Sequence, residues 1–431
     1  MLMRSDKSEK RQTTPKGPYP RDRDPFRADP DGNGYERRRP CGGRGSRRTA
    51  VRLAAAILLI LAATGCGRSL LDRRVNGGDQ PTGTNPVQDK REETIPTMDN
   101  SFSYNRSRLS GEDLALYDQI CAMISAHEAQ TELQCSDENR PFDVYHYVLA
   151  DHPEFFWAEG GANGTWWQSG SVINFTLVPA YSLTAAESQR LQIQLDAVVD
   201  PLRGELGGRS DYDKVKGVYE YVIEHTRYEK TGGTDQSLCT VLLEGHGVCA
   251  AYAKSTQYLL HRLGVQALYV WGTADGGSHA WNMAKIDGSW YQLDTTWGDP
   301  TLNNGKQTLS WDYFCLTDAE MGLDHTADPS QFYPSCSAVA ANYYRREGRY
   351  FTSCDREGIR RLFEEDAARR QPVAFRVPDS EVYDEILQWL VEEKGVFDIL
   401  RELDVSGLVR NRFGHSENET LHTCRFTLYY E

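Results

Sequence analysis

The sequence predicts an α+β fold: a core containing helices and an antiparallel hairpin, with a mostly helical region before it and a small α/β region after it. Three observations predict this. Leu114, Tyr117, Ile120, Cys121 and Ile124 recur at helical spacing. Asp287-Gly288 stands between two apolar runs, a strong signal for a two-residue hairpin. The segment from Thr423 to Tyr430 alternates apolar and polar residues with period two, as a strand does.

The chain of 431 residues carries 48 Lys+Arg against 62 Asp+Glu, and its 39% hydrophobic and 11% aromatic content is that of a globular protein. Residues 1–65 hold 15 basic and 7 acidic side chains, leaving 33 against 55 in the remainder, a net charge of −22. A surface of that sign repels phosphate backbones and anionic membrane surfaces alike, so no nucleic-acid partner is expected. Leu53 to Ala63 is the only long apolar run. It is too short for a bilayer, which takes about 20 apolar residues. Arg47, Arg48 and Arg52 before it, and small residues up to Cys66 after it, fit a secretory signal. Ala63 and Gly65 ahead of Cys66 resemble a bacterial lipobox, which implies lipidation of Cys66. The expected location is extracytoplasmic, with membrane contact through that anchor alone. Ser46-Arg47-Arg48 faintly resembles a twin-arginine export signal but lacks the aromatic residue that should follow.

Five segments follow in order. Residues 1–65 are the export segment and 66–104 a flexible tether rich in Gly, Pro, Thr and Asn. Residues 105–209 form the N-terminal, mostly helical region. Its second helix is expected to open at Thr184-Ala-Ala-Glu187, a capping box in which hydroxyl and carboxylate satisfy each other's backbone donors. Between the helices, His152 in an aromatic-rich segment beside a proline is read as packing. Residues 210–345 form the core, starting with a helix from Asp211 to His225 that carries Val215, Val218, Tyr219 and Val222 on one face. In residues 346–431, a helix from Asp355 to Arg370, a strand from Gln371 to Val377 and a helix from Asp379 to Glu393 precede the final strand. Neither an internal repeat nor a phosphate-cradling glycine motif is present. Eight cysteines lie beyond Cys66, none in a C-x-x-C pair, so neither zinc nor any other cofactor is expected. Outside the cytoplasm some of these thiols can pair as disulfides.

The chemistry gathers in the core. Gly245-His-Gly-Val-Cys249 leads into a run to Leu263, with Gly264 as a natural helix end. A thiol at a helix start lies where unpaired N–H groups and the macrodipole favour the thiolate, the nucleophilic form. Gly245 and Gly247 let the backbone turn into that helix. A buried structural cysteine is the competing reading of this segment alone. With Asp287-Gly288 at the hairpin tip, Trp281 falls opposite Asp294 and His279 opposite Thr296. His279 and Asp294 then share a face as diagonal neighbours, roughly 7–8 Å apart at the backbone and within side-chain reach. A one-residue slip would part them. Cysteine, histidine and carboxylate are the set nucleophilic catalysis needs: His279 takes the thiol proton, and Asp294 orients the imidazole.

GVCAAYA around Cys249, HAWN at His279, and the stretch from WYQLD to TWGDP around Asp294 together resemble the transglutaminase-like superfamily. That resemblance implies a papain-like core in which the cysteine-bearing helix packs on an antiparallel sheet, covers about Ser210 to Asp299 well, and extends weakly through FCLTDAEMGLDH and on to Tyr344. It is strongest toward secreted bacterial members. Carried over, Cys249 is the nucleophile, His279 the base and Asp294 its orienter, with a thioester formed from an amide carbonyl. The Cys249 N–H would hold part of the oxyanion, and Gln236 is the candidate second donor. Ala250 follows the cysteine where calcium-dependent animal transglutaminases have Trp, so neither that tryptophan's role nor calcium is carried over. Trp281 and Trp297 fit either a cleft wall or the core. Three functions compete: a lipid-anchored hydrolase of peptide or isopeptide bonds, a transamidase resolving the thioester with an amine, and a non-catalytic cell-surface binding module. The partner in the first two is a protein or peptide, cell-wall-linked peptides among the candidates.

Overall fold

The computed structural model describes residues 102–158, 161–231, 236–300 and 308–431. The export segment, Cys66 and the tether up to residue 101 lie outside the described residues. Among the described residues no helix is long and apolar enough to cross a membrane.

The N-terminal region runs α1 (Tyr104–Arg108), α2 (Gly111–Ser125), β1 (Thr131–Cys135), α3 (Arg140–Asp151), β2 (Ala162–Ser169), β3 (Val172–Pro179) and α4 (Ala185–Leu206). The apolar series of α2 is buried at Tyr117, Ile120, Cys121 and Ile124. At the start of α4 both halves of the Thr184–Glu187 capping box are made. Helices hold most of this region, and a three-stranded antiparallel sheet in the order β1-β3-β2 lies among them. Its central strand alternates, burying Ile173, Phe175 and Leu177 in the same cluster as α2 and α3. The helices thus cover one face of a sheet instead of closing only on one another. His152 is buried at the end of α3, its ring stacked on Phe155, and packs as expected.

In the core, α5 (Asp211–His225) leads to β4 (Arg227–Tyr228), a π-helical turn at Thr240–Glu244, β5 (His246–Gly247) and α6 (Cys249–Arg262). Next come β6 (Ala267–Ala274), β7 (Gly277–Ile286), β8 (Ser289–Leu293), β9 (Phe314–Leu316), α7 (Asp318–Met321), β10 (His325–Ala327) and α8 (Tyr343–Arg346). The five long-range strands form an antiparallel sheet in the order β10-β6-β7-β8-β9. Asp287 and Gly288 both take positive φ, 49° and 84°, the pair of angles a type I′ turn demands. Ile286 accordingly pairs with Ser289 and Asn282 with Leu293, the register expected from the turn. Helix α6 is buried along nearly its whole length, including Tyr258, Leu259 and Leu260. Such a helix must satisfy its polar members internally. Gln257 Nε2 donates to the carbonyls of Ala150 (2.7 Å) and Ala267 (3.3 Å), and Thr256 bonds Thr295 at 3.1 Å. Gly264, with φ 79°, ends the helix in left-handed conformation.

The C-terminal region contains α9 (Arg356–Ala368), β11 (Val373–Arg376), α10 (Ser380–Leu387) with a π-helical turn at Gln388–Glu392, α11 (Gly395–Glu402), β12 (Leu408–Asn418) and β13 (Thr423–Tyr430). Its sheet, ordered β11-β13-β12, has its own apolar cluster. Sequence reading did not foresee α11 or β12. Most of β12 is exposed, so polar residues break the alternation that marks a half-buried strand. Of the eight described cysteines only Cys354 is not buried.

Candidate active site

The approach to Cys249 is pinned before the helix begins. Gly245 adopts φ 73°, a conformation that a side chain resists, and reverses the chain out of the π-helical turn. Its carbonyl accepts from Arg227 N at 2.9 Å, and that of Gly247 from Glu229 N at 3.0 Å, so β4 and β5 hold the loop as a parallel pair. Gly247 needs no left-handed angle, and of the two glycines only Gly245 makes the turn. Val248 then caps the helix in extended conformation, and Cys249 is its first residue. At that position the helix supplies no carbonyl for the backbone N–H, and its dipole favours negative charge on the thiol.

His279 stands on β7 and Asp294 directly after β8, both buried. His279 Nε2 lies 2.6 Å from Asp294 Oδ2. The other carboxylate oxygen accepts from the backbone N–H groups of Thr296 (2.7 Å) and Trp297 (3.1 Å), which fixes the plane of the carboxylate. Cys249 lies close enough to His279 for its sulfur to act on the charge of the imidazole. Burial pushes the His279 pKa down, but the Asp294 carboxylate and the Cys249 thiol outweigh it and hold the imidazole up at about 9. Burial would push Asp294 up, and the two imidazoles against it, His279 and His325, instead hold it well below the usual carboxylate range.

The second of those imidazoles was not singled out from the sequence. His325, at the start of edge strand β10, places Nε2 3.2 Å from Asp294 Oδ2 and Nδ1 2.5 Å from Asp324 Oδ1. Tyr313 Oη donates to Asp324 Oδ2 at 2.6 Å. The available signal was Asp324-His325 at the end of FCLTDAEMGLDH, whose distance along the chain from the hairpin hid it. Rings enclose the pair of histidines: Trp297 lies 4.5 Å from His325 and 5.8 Å from His279, and Trp281 lies 5.1 Å from His325. Trp281 is core, fully buried with its Nε1 donating to Gln292 at 2.8 Å. His279, Asp294 and His325 offer ligand atoms within 4.8 Å of one another. Both Nε2 nitrogens contact the shared Asp294 oxygen directly, at 2.6 Å and 3.2 Å. Gln236 is exposed at the entry to the π-helical segment, where its carbonyl accepts from Lys254 Nζ on α6 at 3.3 Å.

Residues 201–295 match the family model described as the Transglutaminase-like superfamily. This core is transglutaminase-like. The matched stretch runs from the last turns of α4 to the residue after Asp294, so it contains Cys249, His279 and Asp294 but not His325. Among solved structures, a TGase is similar at 17% identity over 35% of this chain and 47% of that one, with a TM-score of 0.25. A proposed cysteine protease from Cytophaga hutchinsonii is similar at 18% identity over 32% of this chain and 62% of that one, TM-score 0.22. The periplasmic domain of TgpA from Pseudomonas aeruginosa is similar at 16% identity over 31% and 62%, TM-score 0.21. This chain thus spans less than two thirds of each of those chains. No curated protein matches it. The transglutaminase-like core has the expected α+β plan, a cysteine-bearing helix against an antiparallel sheet.

Proposed function

We propose that this protein is an extracytoplasmic cysteine hydrolase, anchored by a lipid on Cys66, that cleaves peptide or isopeptide amide bonds through Cys249, His279 and Asp294. What supports the reading is the 2.6 Å contact of His279 with the Asp294 carboxylate on one hairpin, with Cys249 at a helix start close enough to raise the His279 pKa. In this reading His279 already holds the proton of the Cys249 thiol as an imidazolium, and the thiolate Sγ bonds to the substrate carbonyl carbon. The tetrahedral oxyanion faces the Cys249 N–H, with Gln236 as second donor. Collapse breaks the C–N bond, and His279 returns the proton to the leaving amine. Water, deprotonated by His279, then attacks the thioester and releases a carboxylate and the free thiol. Asp294 stays ionised throughout and stabilises the imidazolium.

Cys249→Ala or His279→Ala is expected to lower turnover of a susceptible peptide by about 10⁴-fold or more, with circular dichroism unchanged. Mass spectrometry of the product identifies the acceptor: a new carboxylate means hydrolysis, and an amide to an added amine means transamidation. Full activity in either folded variant would overturn the proposed mechanism.

A further inference from the structure

We propose that His325 is a positioning residue of this site, an imidazolium clamped between Asp294 and Asp324 that holds the Asp294 carboxylate ionised and aligned on His279. The proposal rests on the catalytic reading above and adds a residue that lies outside the family match. Both ring nitrogens of His325 face carboxylate oxygens, at 3.2 Å and 2.5 Å. An ionised carboxylate only accepts, so each nitrogen must bring a proton and the ring is a cation. The His325 side chain is fully buried and that of Asp294 nearly so, which makes such charge-assisted bonds strong and an unpaired member costly.

The sheet brings the two histidines together. His325 pairs with Ala274, and His279 pairs with Gly272, on opposite sides of β6. Residues 272 and 274 share a face with both histidines, and neither carries a large side chain to separate the rings, whose centroids lie 5.4 Å apart. The titratable groups facing His325 are Asp294 from the end of β8, its neighbour Asp324, His279 from β7, and Tyr313 before β9, which donates to Asp324. The cation therefore sits between two carboxylates. The oxygen it contacts on Asp294 is the one that also receives His279. Its charge discourages transfer of the His279 proton to Asp294 and leaves that proton available for the leaving group. The same charge adds to the positive potential that favours a thiolate at Cys249.

Histidine-selective ¹⁵N NMR of the full chain, beside iodoacetamide labelling of Cys249 read by peptide mass spectrometry, tests this. Both His325 nitrogens are expected to be protonated at pH 7. In His325→Gln, which keeps a donor but loses the charge, the His279 titration midpoint should rise by about one pH unit. Labelling at pH 6 should fall about tenfold. Asp324→Asn should move both readouts the same way by less, and supplies the test if His325→Gln does not fold. A neutral His325 ring at pH 7, or an unchanged His279 midpoint and labelling rate in the folded variants, would overturn the proposal and leave the catalytic reading standing. Labelling of the unaltered protein that ignores His279→Ala would instead remove the catalytic reading, and with it any positioning role.

Discussion

At the scale of single residues, the site is governed by charges that burial would neutralise if they stood alone. His279 and His325 are each held up at about 9: burial pushes them down, and the Asp294 carboxylate outweighs it, together with Cys249 at His279 and with Asp324 at His325. Asp294 is held below the usual range by the same contacts. These displacements make stability depend on pH. An unfolded histidine titrates near ~6.5, so the stabilisation from both imidazolium ions is complete below that and is lost as pH rises toward about 9. An unfolded aspartate titrates near ~3.9, so the stabilisation from Asp294 is complete above that pH and lost below it. The site therefore contributes most between about pH 4 and pH 6.5. The urea midpoint is expected to fall steadily from pH 6.5 to pH 9.5, and to fall less in His325→Gln. An equal decline in both proteins would remove His325 as a source of the dependence.

At the scale of elements, register decides what the residues can do. A two-residue turn with both φ positive admits only one pairing of β7 with β8, and that pairing puts His279 and Asp294 on one face. Both partners lie on one short local motif, so this half of the site was legible before any fold was known. The cysteine half was legible for a similar reason, since a glycine turn and a capped helix are local events. Strand β10 differs. Its approach to β6 is so close that a methyl group at Gly272 would collide with the Thr326 carbonyl oxygen. That oxygen belongs to the backbone beside His325 and cannot swing away. Gly272→Ala is expected to destabilise the protein by about 1–3 kcal/mol in urea unfolding and to pull His325 from Asp294. The same rise in the His279 midpoint should then appear as in His325→Gln. A Gly272→Ala protein of unaltered stability would mean that β10 does not depend on this close approach.

At the scale of the molecule, the three largest apolar clusters among the described residues centre on the N-terminal region, the core and the C-terminal region, and that of the core also takes in residues of α4. Polar side chains join the last two regions: Arg425 of β13 donates to Thr308 Oγ1 at 2.7 Å and to the Leu309 carbonyl, and Arg376 of β11 pairs with Glu320 of α7 at 3.0 Å. Around them the chain beyond residue 65 carries a net −22, a sign that anionic lipid repels. Membrane association then depends on the proposed lipid alone. Cys66→Ser is expected to move the protein wholly from the membrane fraction to the soluble fraction, as read by fractionation and immunoblot. A variant that stays with the membrane at high salt would sink the anchor at Cys66.

What the sequence determined by itself was whatever short-range physics controls. The Thr184 cap, the Gly264 helix end, the Asp287-Gly288 turn and the helical face of α5 each depend on neighbours a few residues away, and each formed as its local pattern requires. From those alone came Cys249 at a helix start and His279 with Asp294 across a hairpin. The tertiary structure decided whatever depends on which strand lies beside which. The exposed β12 has a weak local pattern, and pairing completes it. His325 follows Asp294 by some thirty residues, and the contact between them exists only because β10 closes the sheet edge next to β6. No local periodicity encodes such a contact, since what orders it is the backbone pairing of an edge strand and the burial of two carboxylates that require a cation between them.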